Sequence, residues 1–197
     1  SMRKDISFVL NSGDFMWDAR KLHEWKDYLD PIAQLSKGIP FFTALGNHEE
    51  DSPIYFDHVA LPGNERYYSF EWSNTHFVVL DSNLVVYHRK SRPEQERLAR
   101  EAAQQLRWLQ HDLKSNDAMF TVALFHHPLY GTRPKPPRPQ QREKMRDYLE
   151  DTLRGEVDLV FNGHSHNYQR HESGGITYVV SGGGGAPLYD IGEPTPT

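Results

Sequence analysis

Four times along this chain a short run of apolar, β-forming residues stops on a cluster of glycine, asparagine, aspartate or histidine. That recurrence limits the available folds more than any other feature. Residues 6–10 lead into Asn11-Ser12-Gly13-Asp14, and residues 41–45 into Gly46-Asn47-His48-Glu49. Residues 122–125 lead into His126-His127-Pro128, and residues 159–161 into Asn162-Gly163-His164-Ser165-His166. Each run has the length and composition of a buried strand, and three of the four stop at a glycine turn. Sheets of this kind gather ligands where strand ends open into loops, so the four ends would bring carboxylate, amide and imidazole to one region. In the last cluster, Ser165 is small enough to let His164 and His166 point into one space. Alone, a His-x-His pair is more often two hydrogen-bonded side chains than a metal site; the three companion clusters favour the metal.

Composition narrows the chemistry further. With no cysteine in 197 residues, disulfides and thiolate sites are excluded, and any metal has to be held by oxygen and nitrogen. A net charge of −5 argues against a general nucleic-acid binder, whose footprint is basic. No apolar run approaches the roughly 20 residues that cross a bilayer. The length suits a single domain, 1–197, around one sizeable core. Ser1-Met2 reads as a remnant of expression, with the natural chain beginning inside the fold and any signal peptide already gone. The compartment is open: secreted, periplasmic and cytoplasmic placements all fit.

Between the four clusters the pattern is that of scaffold. Residues 17–37 read as a helix, with Leu22, Trp25, Leu29, Ile32 and Leu35 on one face, Gly38 as C-cap and a kink or break at Pro31. Trp17 and Trp25 belong to the core on this reading. Asp14 supplies a carboxylate able to bridge two cations; the competing reading makes it the N-cap of a helix over 15–36. Runs 67–72 and 76–81 form a hairpin around residues 73–75. Residues 91–116 are the clearest helix, capped by Ser91, with Pro93, Glu94 and Glu96 in its first turn and a stripe of Leu98, Ala102, Leu106, Leu109 and Leu113. Residues 120–125 and 176–180 are strands. If the first of these continues, His127 projects away from His126.

Glu49, Glu50 and Asp51 read as a solvated acidic loop, with Glu49 also able to orient a neighbour. His58, His76, His88 and His111 lack companion ligands and are structural or exposed. Residues 131–146 are rich in proline and base, with Arg133, Lys135, Arg138, Arg142, Lys144 and Arg146. They read as a solvated loop entering a helix that ends near Leu153, or as a rim that attracts anions. The glycines at 182–185 suit a tight backbone crossing beside the site.

Gly-Asp (13–14), Gly-Asn-His-Glu (46–49), His-x-Pro (126–128) and Gly-His-x-His (163–166), in this order, resemble the signature blocks of calcineurin-like metallophosphoesterases. The flanking NYQR and the stretch YVVSGGGGAPLY (178–189) are similar to the purple acid phosphatase branch. The resemblance implies an α/β (α+β) fold, a four-layer αββα sandwich of two mixed sheets flanked by helices, here lacking its first strand. It implies two divalent ions (Mn, Fe or Zn) about 3.5 Å apart, with Asp14 bridging and Asn47, His126, His164 and His166 as further ligands. His48 would contact the phosphoryl group and help the leaving oxygen depart. His127 and Arg170 would face substrate or support the ligands, with a structural salt bridge an equal account of Arg170. The family's purple members carry a tyrosine three residues after the bridging aspartate; Trp17 stands there, so no purple ferric chromophore is expected.

One block of the family, an Asp-x-His on a first strand, has no counterpart before residue 6. The expectation is an N-terminally truncated domain that holds one metal well and the other poorly, with reduced or absent activity and a sheet edge open to dimerisation. The leading function is hydrolysis of a small phosphomonoester by metal-bound hydroxide, as in acid phosphatases. One alternative is a phosphodiesterase acting on cyclic nucleotides or nucleic acid. The other is a truncated, impaired domain that binds metal without turnover.

Overall fold

The computed structural model describes residues 6–33, 37–49, 51–87, 90–132 and 139–192. Leu35, Glu50, His88, Arg133, Lys135 and Arg138, all named above, lie outside the described residues, as do Ser1 and Met2. Strand Val9–Asn11 (β1) is followed by helix Leu22–Ile32 (α1) and then pairs in parallel with Phe41–Thr43 (β2). A short helix, Pro53–His58 (α2), leads into the hairpin Tyr68–Trp72 (β3) and Thr75–Val79 (β4). Helix Arg92–Ser115 (α3), strand Phe120–Leu124 (β5) and helix Pro139–Leu153 (α4) come next. Strand Leu159–Asn162 (β6) and the hairpin Tyr168–Ser173 (β7) and Ile176–Ser181 (β8) complete the order. The larger sheet runs β3-β4-β5-β6-β8-β7, with β4, β5, β6 and β8 parallel and an antiparallel strand at each edge.

The pleat explains the layering. Successive residues of a strand face opposite sides, and here both sides are apolar. Val78, Ala123 and Val160 join Leu109, Leu113, Met145, Leu149 and Leu153 under α3 and α4. Their neighbours Val79, Leu124 and Phe161 meet Leu10, Phe42 and Ala44 of the small sheet. A third cluster, Ala19, Trp25, Leu45 and Tyr55, packs α1 and α2 on the outer side of β2. Helices, small sheet, large sheet and helices thus form the four layers, and the two buried faces account for the near-continuous apolar runs at 120–125 and 159–161.

Helix α3 begins as expected: the Glu94 carboxylate accepts from the backbone N–H and hydroxyl of Ser91 (2.9 and 2.6 Å). Elsewhere the boundaries differ. The 17–37 helix is only Leu22–Ile32, with Pro31 in its last turn. Residues 14–21 form a loop in which the 46–49 segment and local carboxylates compete for the backbone donors: Asp14 and Phe15 donate to Glu49, Ala19 to the His48 carbonyl, and Asp18 to Glu24. This also removes Asp14 as a helix cap. Arg142, Lys144 and Arg146 lie on α4, not on a loop; Arg146 donates to the Leu129 carbonyl and sits over Tyr130, and Lys144 sits over Tyr87. Helix α2 and strand β7 are not evident from periodicity, the first being six residues long and the second mostly polar. No helix among the described residues is long and apolar enough to cross a membrane.

Candidate metal centre

The four polar clusters meet. Gly13 carries the chain past Gly46 at φ +88°, where any Cβ would run into the Gly46 backbone, and Asp14 follows in the left-handed region at φ +60°. Gly46 is equally constrained, since a Cβ there would strike the Asp14 carboxylate and Glu49. Glu49 holds both loops from below. Wholly buried, it accepts from the backbone N–H of Asp14 (2.9 Å), Phe15 (2.9 Å) and Gly46 (2.5 Å). Burial first, and Asp14's charge second, push its carboxyl above the usual range against those hydrogen bonds. The solvated acidic loop expected at 49–51 is therefore corrected at Glu49, which organises the site's backbone. A glutamate closing a Gly-Asn-His-Glu block was the available signal.

His126 lies at the centre. Its Nδ1 is 2.7 Å from the Ser12 carbonyl, which can only accept, so Nδ1 carries a proton. Nε2 faces Asp14 Oδ2 at 3.0 Å, Asn47 Oδ1 at 3.2 Å and His164 Nδ1 at 3.2 Å. His164, itself at φ +63°, also places Nδ1 2.9 Å from Asn47 Oδ1. A neutral His126 would aim a lone pair at a carboxylate and an amide oxygen, so a proton or a cation has to lie between them. Burial disfavours the charged forms of both partners, yet their mutual attraction outweighs it, raising the His126 pKa and holding Asp14 down at about 2. This donor set of carboxylate, amide and imidazole suits a divalent cation of intermediate hardness, and the Nδ1–H···O=C bond to Ser12 is the outer contact that fixes a ligating imidazole.

His127 is placed differently from expectation. Strand β5 ends at Leu124, so the alternation does not continue, and His127 joins its neighbour instead of turning away. One ring nitrogen each of His126, His127 and His164 lie within 4.8 Å of one another. Buried beside them, His127 is held through Nδ1 (2.8 Å) and its backbone N–H (3.0 Å) by the Ser82 hydroxyl.

His166 shares a cavity of about 250 Å³ with Asp14 and His164. It is not part of the hydrogen-bonded cluster: its Nδ1 lies 3.0 Å from the Pro187 carbonyl, and its ring stacks on Tyr189 at 4.2 Å. Gly182 crosses the Ser165 backbone too closely to accept a Cβ, in line with the crossing expected of the glycine run. His48 donates its backbone N–H to Asp14 Oδ1 (2.9 Å), while its ring reaches outward to Trp17. Trp17 is 73% exposed, a correction to its assignment to the core, whereas Trp25 is buried. Arg170 had two equal accounts. On strand β7 its guanidinium pairs with Glu172 at 2.7 Å on the exposed surface and does not line the cavity, so of the two accounts the salt bridge is the one adopted.

Comparison with known proteins adds an independent finding. The family model described as calcineurin-like phosphoesterase matches residues 2–168. Purple acid phosphatase 21 of Arabidopsis thaliana is 29% identical over 210 residues, covering 93% of this chain and 45% of that protein. Purple acid phosphatase 15 of the same plant is 30% identical over 179 residues, covering 78% and 31%. Among solved structures, the purple acid phosphatase PPD1 from yellow lupin (Lupinus luteus) seeds superposes with a TM-score of 0.71 at 20% identity, over 98% of this chain and 39% of its own. The chain thus spans less than half the length of these relatives.

Proposed function

The chain belongs to the calcineurin-like phosphoesterase family, on its purple acid phosphatase side, and from that premise we propose that it is a metal-dependent phosphoester hydrolase acting on small phosphomonoesters. The observation that carries this reading is the convergence of Asp14, Asn47, His126 and His164 on one point from four separate strand ends. These four residues would hold one divalent cation. Asp14 and His166, facing the adjoining cavity, would supply part of a second and weaker site. The chemistry such a cation would supply when bound is polarisation of a phosphoryl oxygen and a lowering of the pKa of water toward neutrality.

The chain's own residues do the rest. The Ser12 carbonyl keeps His126 in the tautomer that turns Nε2 inward. Glu49 locks the loops that carry Asp14 and Asn47. With Nδ1 held by the Trp17 carbonyl, His48 has Nε2 left to exchange a proton with a leaving oxygen. The acidic net charge disfavours nucleic acid as substrate. We extend the reading to a single domain, and the edge of the two-stranded sheet is a proposed route to self-association.

Assay of p-nitrophenyl phosphate against bis(p-nitrophenyl) phosphate, with Mn(II) or Zn(II) supplied, tests the function. Faster hydrolysis of the monoester is expected. Preference for the diester would move the assignment to a phosphodiesterase, and failure to hydrolyse either with metal demonstrably bound would leave a metal-binding domain without turnover.

A further inference from the structure

Trp17 lies in the loop that carries Asp14, and its indole is among the most exposed large apolar groups described. A single exposed aromatic residue is ordinary; this one is not loosely held. Its carbonyl lies 2.6 Å from His48 Nδ1, and its ring lies against the His48 imidazole, centroids 4.8 Å apart and planes tilted by 36°. The loop is tied to the 46–49 segment at further places. Ala19 N–H donates to the His48 carbonyl (3.1 Å), His48 N–H to Asp14 Oδ1 (2.9 Å), and Asp14 N–H to Glu49. Indole and imidazole therefore form a fixed two-ring step beside Asp14, the carboxylate that faces His126 and accepts the His48 N–H.

A phosphoryl group centred on the cluster has its leaving group outside it, and on the reading proposed above His48, whose backbone N–H is bonded to Asp14, is the side chain that meets the leaving oxygen. Whatever that oxygen is attached to then lies next to Trp17. A flat ring gains from stacking there, and an alkyl chain gains far less. We propose that Trp17, with His48, forms a leaving-group subsite that selects phosphoesters of flat aromatic alcohols or nucleosides over aliphatic ones. This rests on the phosphatase reading and adds a substrate class to it.

The test compares the wild-type chain with Trp17→Ala and Trp17→Phe, all loaded with Zn(II). The first readout is the ratio of kcat/KM for p-nitrophenyl phosphate to that for glycerol phosphate. The second is the ratio of Kd for methylphosphonate to that for phenylphosphonate, which needs no turnover. Both ratios should fall about tenfold in Trp17→Ala and recover in Trp17→Phe. A role limited to bracing His48 would lower turnover of both substrates together and leave the ratios unmoved, which would overturn the proposal. Absence of hydrolysis by the wild-type chain would defeat the phosphatase reading only; the phosphonate ratio would still decide whether the aromatic subsite exists.

Discussion

At the residue scale, few donor atoms share the space around His126. Asn47 Oδ1 lies within hydrogen-bond distance of nitrogens on both His126 and His164, so Asn47→Ala removes an oxygen that no neighbour replaces. It should weaken Zn(II) or Mn(II) binding, read by calorimetry, by more than the roughly 10–100-fold typical of losing an outer partner. Glu49→Gln falls in that outer class. It exchanges one acceptor oxygen for an NH2 group that opposes backbone donors, so affinity should drop by roughly 10–100-fold with the fold retained. Gly46→Ala tests the packing directly: its methyl would meet the Asp14 carboxylate, and thermal unfolding should show a loss of about 1–3 kcal/mol.

At the element scale the outer helices hold the sheet that presents the site. Leu109 of α3 is fully buried against Val78 and Ala123, and Leu109→Ala should cost about 2–5 kcal/mol in chemical denaturation. A pH-dependent contact joins the same helix to the first hairpin. His76 on β4 lies between Asp112 (Nε2–Oδ2 2.7 Å) and Glu71. Burial opposes its protonation, but hydrogen bonds to Asp112 and Glu71 prevail, so its pKa is raised above 6.5. The folded state therefore holds this proton more tightly than the unfolded chain. The resulting stability is complete below pH 6.5 and is lost as pH rises through the higher folded value. His76→Gln should accordingly be destabilised relative to wild type at pH 6 and much less so at pH 9. An equal gap in Tm at both would refute the contribution.

For the whole molecule, the sandwich was legible wherever burial on two faces made a strand's entire run apolar, as in β5 and β6, and wherever caps marked a long helix, as in α3. It was not legible where a tertiary contact overrode local pattern. Residues 17–21 have helix-compatible composition, but Ala19 donates to the His48 carbonyl and Asp18 to the Glu24 carboxylate, and Trp17 is left on the surface. The site showed the same division. Asp14, Asn47, His126 and His164 could be picked from their places after strands, whereas the buried role of Glu49 and the inward turn of His127 depend on neighbours remote in sequence. The most direct test of the central claim is an anomalous-difference map from crystals of chelator-free protein grown with Zn(II). The account predicts a strong peak about 2.0–2.2 Å from donor atoms of Asp14, Asn47, His126 and His164 together. A featureless map at that point, or a peak coordinated by other residues in its place, would contradict it.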